Sequence, residues 1–175
     1  YSVQLAAYIR EHEPGKIAEF REMQYQLTQT MVDHQMATSI DLYNEDFNIH
    51  PKQKSELGRR LFLLADKYSY GSDEIDPHSP VFESMSIDGN KIRLSFDHIA
   101  EGLQGDTKQL GGFEIAGADG RFVEADAYLD GNSVIASSSK LPKPRHIRYL
   151  WKDAPRASVF NSLGLPLLPF KSQSK

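Results

Sequence analysis

The spacing of apolar residues along the chain changes near residue 80. Before that point, the short apolar runs 2–6 and 36–40 are each followed by a stretch with apolar residues at every third or fourth position. Short runs of this kind predict buried strands, and the three-to-four-residue step predicts amphipathic helices. The order strand, helix, strand, helix is typical of a parallel sheet with covering helices. Because two strands do not complete such a sheet, we expect residues 1–71 to be the end of a larger α/β domain.

Both predicted helices have one mainly apolar face. In the first helix, the residues expected to pack are Ile17, Phe20, Gln24, Leu27 and Met31, with Glu19, Glu22 and Gln26 facing water. In the second, Pro51 is expected at the first helical position, where its missing N–H costs nothing, and the helix should stop near Tyr70. Its predicted packing residues are Leu57, Leu61, Leu64, Ala65 and Tyr68, with Arg59, Arg60 and Lys67 off that face.

Residues 80–175 have the alternating pattern of β-strands. A polar, proline-bearing stretch, 72–79, is the predicted linker. After it, the turn Asp88-Gly89-Asn90 predicts a hairpin in which Ile92, Leu94 and Phe96 share one face. Residues 122–129 are expected to be extended, and Ile147, Tyr149 and Trp151 to point to one side of a later strand. We therefore predict an all-β, sandwich-like domain.

Composition excludes several classes of function. The formal charge is −4, and the 24 acidic and 20 basic residues are mixed along the chain without a basic stripe, so nucleic-acid binding is not expected. A membrane-spanning helix is not expected either, because no apolar run approaches the roughly 18 residues that such a helix requires. The absence of cysteine rules out disulfides and thiol nucleophiles, and the six histidines are not at metal-ligand spacing. We predict no metal and no cofactor.

Residues 41–51 are the strongest candidate for chemistry. His50 directly precedes Pro51 and the predicted helix, and it follows a loop that contains three carboxylates. A helix N-terminus disfavours imidazolium, so His50 can stay neutral and act as a general base for a hydroxyl. Asp46 is the first choice to orient the ring because it is near in sequence, with Glu45 and Asp41 as alternatives. The other interpretation is a histidine that bonds only backbone beside a solvated acidic loop.

A nucleophile to match this base is missing from the sequence. There is no Gly-x-Ser-x-Gly elbow. Ser72 lies in the linker, Ser133 in a hairpin and residues 137–139 in a polar loop. None of these serines is placed between a strand and a helix, so we expect the nucleophile to lie elsewhere.

Four blocks of the sequence resemble the sialate O-acetylesterase family of SGNH-type hydrolases. The first is Ile40-Asp41-Leu42 with Asn48-Ile49-His50-Pro51-Lys52-Gln53-Lys54 and Leu57-Gly58-Arg59-Arg60-Leu61. The others are Val3-Gln4-Leu5-Ala6, residues 112–122, and Arg148-Tyr149-Leu150-Trp151-Lys152-Asp153-Ala154-Pro155 with Asn161, Gly164-Leu165-Pro166 and Pro169-Phe170. They follow the family's order over nearly the whole chain.

The resemblance implies an exported serine esterase that removes acetyl groups from sugars such as sialic acid, with His50 as general base. The SGNH group often has aspartate three residues before the histidine, where this chain has Phe47. We therefore expect the C-terminal portion of an extracellular or periplasmic O-acetylesterase, inactive alone. Its expected partner is an N-terminal half that carries the serine and the oxyanion hole, and without that half the chain is expected to self-associate. The alternative is a noncatalytic glycan-binding or structural β-module.

Overall fold

The computed structural model describes residues 1–9, 15–42, 48–106 and 108–172. The chain divides into two units. The first comprises residues 1–79 together with 152–156, and the second comprises 80–151 and 157–175.

The first unit has the predicted order of strand, helix, strand and helix. β1 (Ser2–Gln4) precedes α1 (Lys16–Thr30), and β2 (Met36–Thr38) precedes α2 (Lys54–Tyr68). β1 and β2 pair in parallel, with Val3 opposite Ala37. The small core of this unit includes Ile17, Ala18, Ile40, Leu42 and Leu64. The predicted element order and the parallel pairing are confirmed.

The face that α1 buries is not the predicted one. Ile17, Ala18 and Arg21 are buried, whereas Phe20 and Leu27 are about half exposed. The predicted apolar face is not the inner one, because the small side chain of Ala18 and Arg21, which donates four hydrogen bonds, occupy the inner side. The prediction that Phe20 and Leu27 pack in this chain was therefore wrong.

Three predictions about α2 also need correction. Tyr68, which was expected to pack, is 46% exposed. Pro51 is buried and lies before the helix, which begins at Lys54 after an N-cap at Gln53. Arg60, which was expected to lie off the packing face, is 3% exposed. A buried arginine is stable only when its charge and its donors are matched, and acceptors from β2 and from the loop after it match them here.

The described residues of the second unit form ten strands. They are β3 (Val81–Asp88), β4 (Lys91–Asp97), β5 (Leu103–Gly105), β6 (Phe113–Ala116), β7 (Phe122–Glu124), β8 (Asp126–Asp130), β9 (Ser133–Ser137), β10 (His146–Tyr149), β11 (Val159–Asn161) and β12 (Phe170–Lys171). Two four-stranded sheets have the orders β3-β4-β9-β8 and β12-β10-β6-β7, and β5 pairs with β11. Within the four-stranded sheets, every pairing is antiparallel.

Aromatic side chains join the two four-stranded sheets. Phe170 of β12 stacks on Phe82 of β3 with the ring centroids 4.6 Å apart, and it meets Phe96 of β4 edge-on at 6.3 Å. Ile92, Leu94 and Phe96 are buried along β4, as their alternation predicted. The predicted hairpin is confirmed, and its turn consists of Gly89 and Asn90, since Asp88 is already paired with Lys91. The chain therefore contains the predicted β-rich, sandwich-like unit.

Two extended segments differ from the prediction. Residues 122–129 form two strands, because β7 pairs with β6 in one sheet and β8 pairs with β9 in the other. β10 ends at Tyr149, since Leu150 has a left-handed backbone with φ of 52°. That φ ends the alternation of strand residues, so Trp151 does not extend the row of Ile147 and Tyr149.

The observed units differ from the predicted domains, which were continuous in sequence, at one segment. The structure groups residues 152–156 with the first unit, although they lie within the predicted β-domain. Their contacts with α1 account for this and are described below. No helix in the described ranges has the length and apolar character required to cross a membrane.

Candidate functional site

The candidate site lies beyond the carboxyl ends of β1 and β2. In parallel sheets the carboxyl ends of neighbouring strands meet at one edge, where ligand-binding groups collect. Side chains here tie the two strands together. The Oγ1 of Thr38 donates to Gln4 Oε1 at 2.7 Å, and the Oγ of Ser39 donates to the Gln4 carbonyl at 2.9 Å. All three residues are buried, so the start of the loop that follows β2 is fixed.

His50 has an anchored main chain and an exposed side chain. Its N–H donates to Asn48 Oδ1 at 2.9 Å, which makes an Asx turn, and the next residue, Pro51, is buried. The imidazole has no hydrogen bond to any residue in the described ranges. The ring is thus presented to solvent from a fixed backbone position.

Asp41 is bound to Arg60. The Nη1 and Nη2 of Arg60 each donate to one oxygen of the Asp41 carboxylate, both at 2.7 Å. Two parallel bonds of this kind give a strong and directional ion pair. With both oxygens engaged, Asp41 is the counter-ion of Arg60, and the structure does not bring it to His50. Asp46 and Glu45, the other candidates for orienting the ring, lie outside the described residues, as does Phe47.

Arg60 is the centre of a larger polar cluster. Its Nη1 also donates to the Thr38 carbonyl at 2.9 Å, and its Nε donates to Glu56 at 2.9 Å. Burial by itself lowers the pKa of Arg60, but the hydrogen bonds and charges of Asp41 and Glu56 outweigh it and leave that pKa raised. The hydrogen bonds from Arg59, with help from Arg60, lower the pKa of Glu56. α2 is therefore attached to the end of β2 by charged groups.

Arg21 is a second buried arginine at the same edge, and it is fully buried. Its guanidinium donates to the carbonyls of Leu5 (2.9 Å), Ala6 (2.7 Å), Lys152 (3.0 Å) and Asp153 (2.7 Å). Burial lowers the pKa of Arg21 to about 10, although the nearby charge of Asp153 raises it. The group therefore remains charged at neutral pH and holds the chain that follows β1 against residues 152–153.

The carboxylate of Asp153 caps α1. Its two oxygens accept hydrogen bonds from the N–H groups of Gly15 (2.8 Å) and Ile17 (3.2 Å). A carboxylate at this position satisfies free N–H groups and is favoured by the helix dipole. Asp153 and Arg21 thus explain why residues 152–156 belong to the first unit.

Comparison with known proteins was made against families, curated proteins and solved structures. No family model matches the chain, and no curated protein matches it. Among solved structures, the crystal structure of a carbohydrate acetylesterase from Xanthomonas citri matches with a TM-score of 0.87 and 36% identity. The match covers 99% of this chain and 40% of that one, so the chain spans about two-fifths of that protein's length. The chain is related to a carbohydrate acetylesterase, a hydrolase.

A serine and a histidine form a hydrogen bond at the other end of the parallel strands. The Oγ of Ser2 lies 2.8 Å from His34 Nε2. The Nδ1 of His34 is buried and has no partner within the described residues, so no carboxylate there completes a triad. This pair starts β1 and precedes β2, so it lies at the amino end of the strands, away from the edge that leads to His50.

The sequence contained partial signals for the buried charge pairs that it failed to predict. Arg60 and Asp41 fall in the histidine block of the family resemblance, and Asp153 falls in its C-terminal block. Arg21 lies one helical turn after Ile17, on the inner side of α1. Only the fold shows that these charges are partners, because Arg21 and Asp153 are 132 residues apart.

Proposed function

We propose that the chain is the C-terminal portion of an SGNH-type carbohydrate O-acetylesterase that acts on sialate-type sugars. The observation that carries the proposal is the match to the Xanthomonas citri carbohydrate acetylesterase, at 36% identity over 99% of this chain. The sequence blocks around His50 and Asp153 support the same class. Because the match covers 40% of that protein, the complete activity belongs to a longer assembly in this proposal.

In the proposed reaction, His50 is the general base. The hydroxyl of a serine outside this chain attacks the acetyl carbonyl, and its proton passes to the imidazole. The imidazolium then returns the proton to the sugar oxygen as that group leaves. Water, deprotonated in turn by His50, hydrolyses the acetyl-serine. The exposed ring of His50 on an anchored backbone suits this role, because a serine supplied by another segment can reach it.

The partner of the imidazole in this proposal is Asp46 or a backbone carbonyl. Asp41 is disfavoured because both its oxygens already accept bonds from Arg60. The arginine would still act indirectly, since it fixes the start of the loop that leads to His50. The proposal also includes export to an extracellular or periplasmic location and a separate N-terminal portion that carries the nucleophile and the oxyanion donors.

Hydrolysis of p-nitrophenyl acetate tests the assignment. The purified chain and a His50→Ala variant should have the same rate, because the chain alone lacks the nucleophile. A Ser2→Ala variant is the matched control for the Ser2–His34 pair. Turnover lost in His50→Ala would show that the nucleophile is within this chain, whereas turnover lost in Ser2→Ala would move the site to the other end of the strands.

A second candidate function, glycan binding by the β-unit, is favoured by one surface. On the sheet that contains β7, β10 and β12, Arg148 lies 4.2 Å from the ring centroid of Phe122, and Lys171 lies 5.8 Å from those of Phe122 and Trp151. Aromatic rings beside hydrogen-bonding groups are a common way to bind sugars. This candidate ranks second because Arg148 already stacks on Phe122 and bonds Glu114 at 2.9 Å. Titration of wild type and Trp151→Ala with acetylated and deacetylated sugars tests it, and absence of wild-type binding to either form eliminates it.

A further inference from the structure

Large apolar side chains are exposed mainly in the first unit. Thirteen large apolar side chains are exposed among the described residues; twelve of them lie in the first unit, and Ile87 lies in the second. The β-unit thus has a closed core, whereas the α/β unit leaves much of its apolar surface uncovered. Contiguous exposed apolar surface of this kind marks an interaction site.

The exposed residues of α1 form a continuous line, which we name the apolar stripe. It consists of Phe20, Met23, Leu27 and Met31, which are 46%, 55%, 49% and 53% exposed. At about 100° per residue, these four positions fall within an arc of about 80°. The arc is centred about a third of a turn from the side formed by Ile17, Ala18 and Arg21. α1 therefore has apolar surface beyond the part that packs on its own unit.

The sheet beneath α1 is also unfinished. β1 and β2 form a two-stranded parallel sheet, and within the described residues each has one edge without a partner strand. Parallel sheets in proteins are covered by helices on both faces and usually have more strands than this. The first unit therefore has both open strand edges and an exposed apolar face on its first helix.

We propose that the apolar stripe is the docking surface for additional strands of an esterase α/β domain. The occupant is the segment equivalent to the part of the Xanthomonas citri protein that this chain does not cover, since the match spans 40% of that protein. The inference rests on the proposed function and names the surface through which the nucleophile-bearing portion is held. Burial of four large apolar side chains provides the affinity, and the open sheet edge provides the direction of docking.

Co-expression provides the test. The chain is produced together with a tagged polypeptide made of the residues of the Xanthomonas citri acetylesterase that the chain does not cover, and the tag is used for capture. In the test variant, Met23→Glu and Leu27→Glu place two charges on the apolar stripe. The matched control, Gln26→Glu and Gln29→Glu, adds the same charge to exposed polar positions of α1. Circular dichroism at 222 nm checks that both variants keep their helices.

We expect wild type and the control variant to be captured, and capture of the stripe variant to fall at least tenfold. Capture that is equal for wild type and the stripe variant overturns the proposal, as does failure to capture wild type. If wild type is not captured but forms dimers, and the stripe variant does not form them, the occupant is a second copy of this chain. That result also overturns the proposal. Acetyl-ester hydrolysis by the captured complex is measured separately. Capture without hydrolysis contradicts the catalytic assignment and leaves the docking surface established.

Discussion

The charge pair between Arg60 and Asp41 yields the sharpest prediction. Replacing Asp41 with Asn removes the negative charge and turns one oxygen into a donor that faces the guanidinium. Arg60, 3% exposed, would keep the Thr38 carbonyl and Glu56 as acceptors but would lose both bonds of 2.7 Å. Breaking a buried ion pair costs about 3–5 kcal/mol, and we expect about 3 kcal/mol because Glu56 still offsets part of the charge.

Two optical probes separate the units in this experiment. Both helices within the described residues belong to the first unit, so urea unfolding followed at 222 nm reports mainly on that unit. The single tryptophan, Trp151, belongs to the second unit, and its fluorescence reports on the β-sheets. The Asp41→Asn variant should shift the transition at 222 nm to lower urea and leave the fluorescence transition in place.

Asp73→Asn is the matched control. The Asp73 side chain is 91% exposed, follows α2 and lies 3.6 Å from Lys67 of that helix, so loss of its charge should cost less than about 1 kcal/mol. If Asp41→Asn and Asp73→Asn shift the transition equally, the pair at Arg60 contributes no more than a surface ion pair. The reasoning about the buried arginine would then be wrong.

Three further predictions concern charges and caps. Asp153→Ala should destabilise α1 by about 2–4 kcal/mol in urea unfolding followed at 222 nm. The substitution removes the helix cap and the negative charge near the buried Arg21. Full retention of stability would contradict this prediction. Because the folded-state pKa of Glu56 is lowered, its contribution to stability is present above the ordinary pKa of glutamate and is lost as pH falls through the lowered value. In Glu56→Gln, the free energy of unfolding measured at 222 nm should therefore fall less steeply as the pH is lowered. An unchanged pH dependence would contradict this prediction. Asn161→Ala should destabilise the β-unit by about 2–3 kcal/mol in urea unfolding followed by tryptophan fluorescence. The buried side-chain amide accepts hydrogen bonds from the N–H groups of Leu163 and Leu165 and donates one to the His98 carbonyl.

The pattern of apolar residues by itself determined the type and order of the elements in residues 1–70. Period-two alternation in Ile92, Leu94 and Phe96 was sufficient to place a strand and its buried face, because neighbouring side chains in a strand point to opposite sides. The helices and short strands of residues 1–70 followed from spacing for the same local reason. The sequence blocks that resemble an esterase family agree with the match to a carbohydrate acetylesterase.

Tertiary structure alone decided which charges are buried and which apolar faces are exposed. A side chain's spacing shows which neighbours it has along a helix, but its burial depends on distant segments. Arg60 is buried because the Asp41 carboxylate and the Thr38 carbonyl accept its hydrogen bonds. Arg21 is buried because the carbonyls of residues 152–153 accept hydrogen bonds from it. Phe20 and Leu27 have the periodicity of core residues but remain exposed, since none of the described segments covers them.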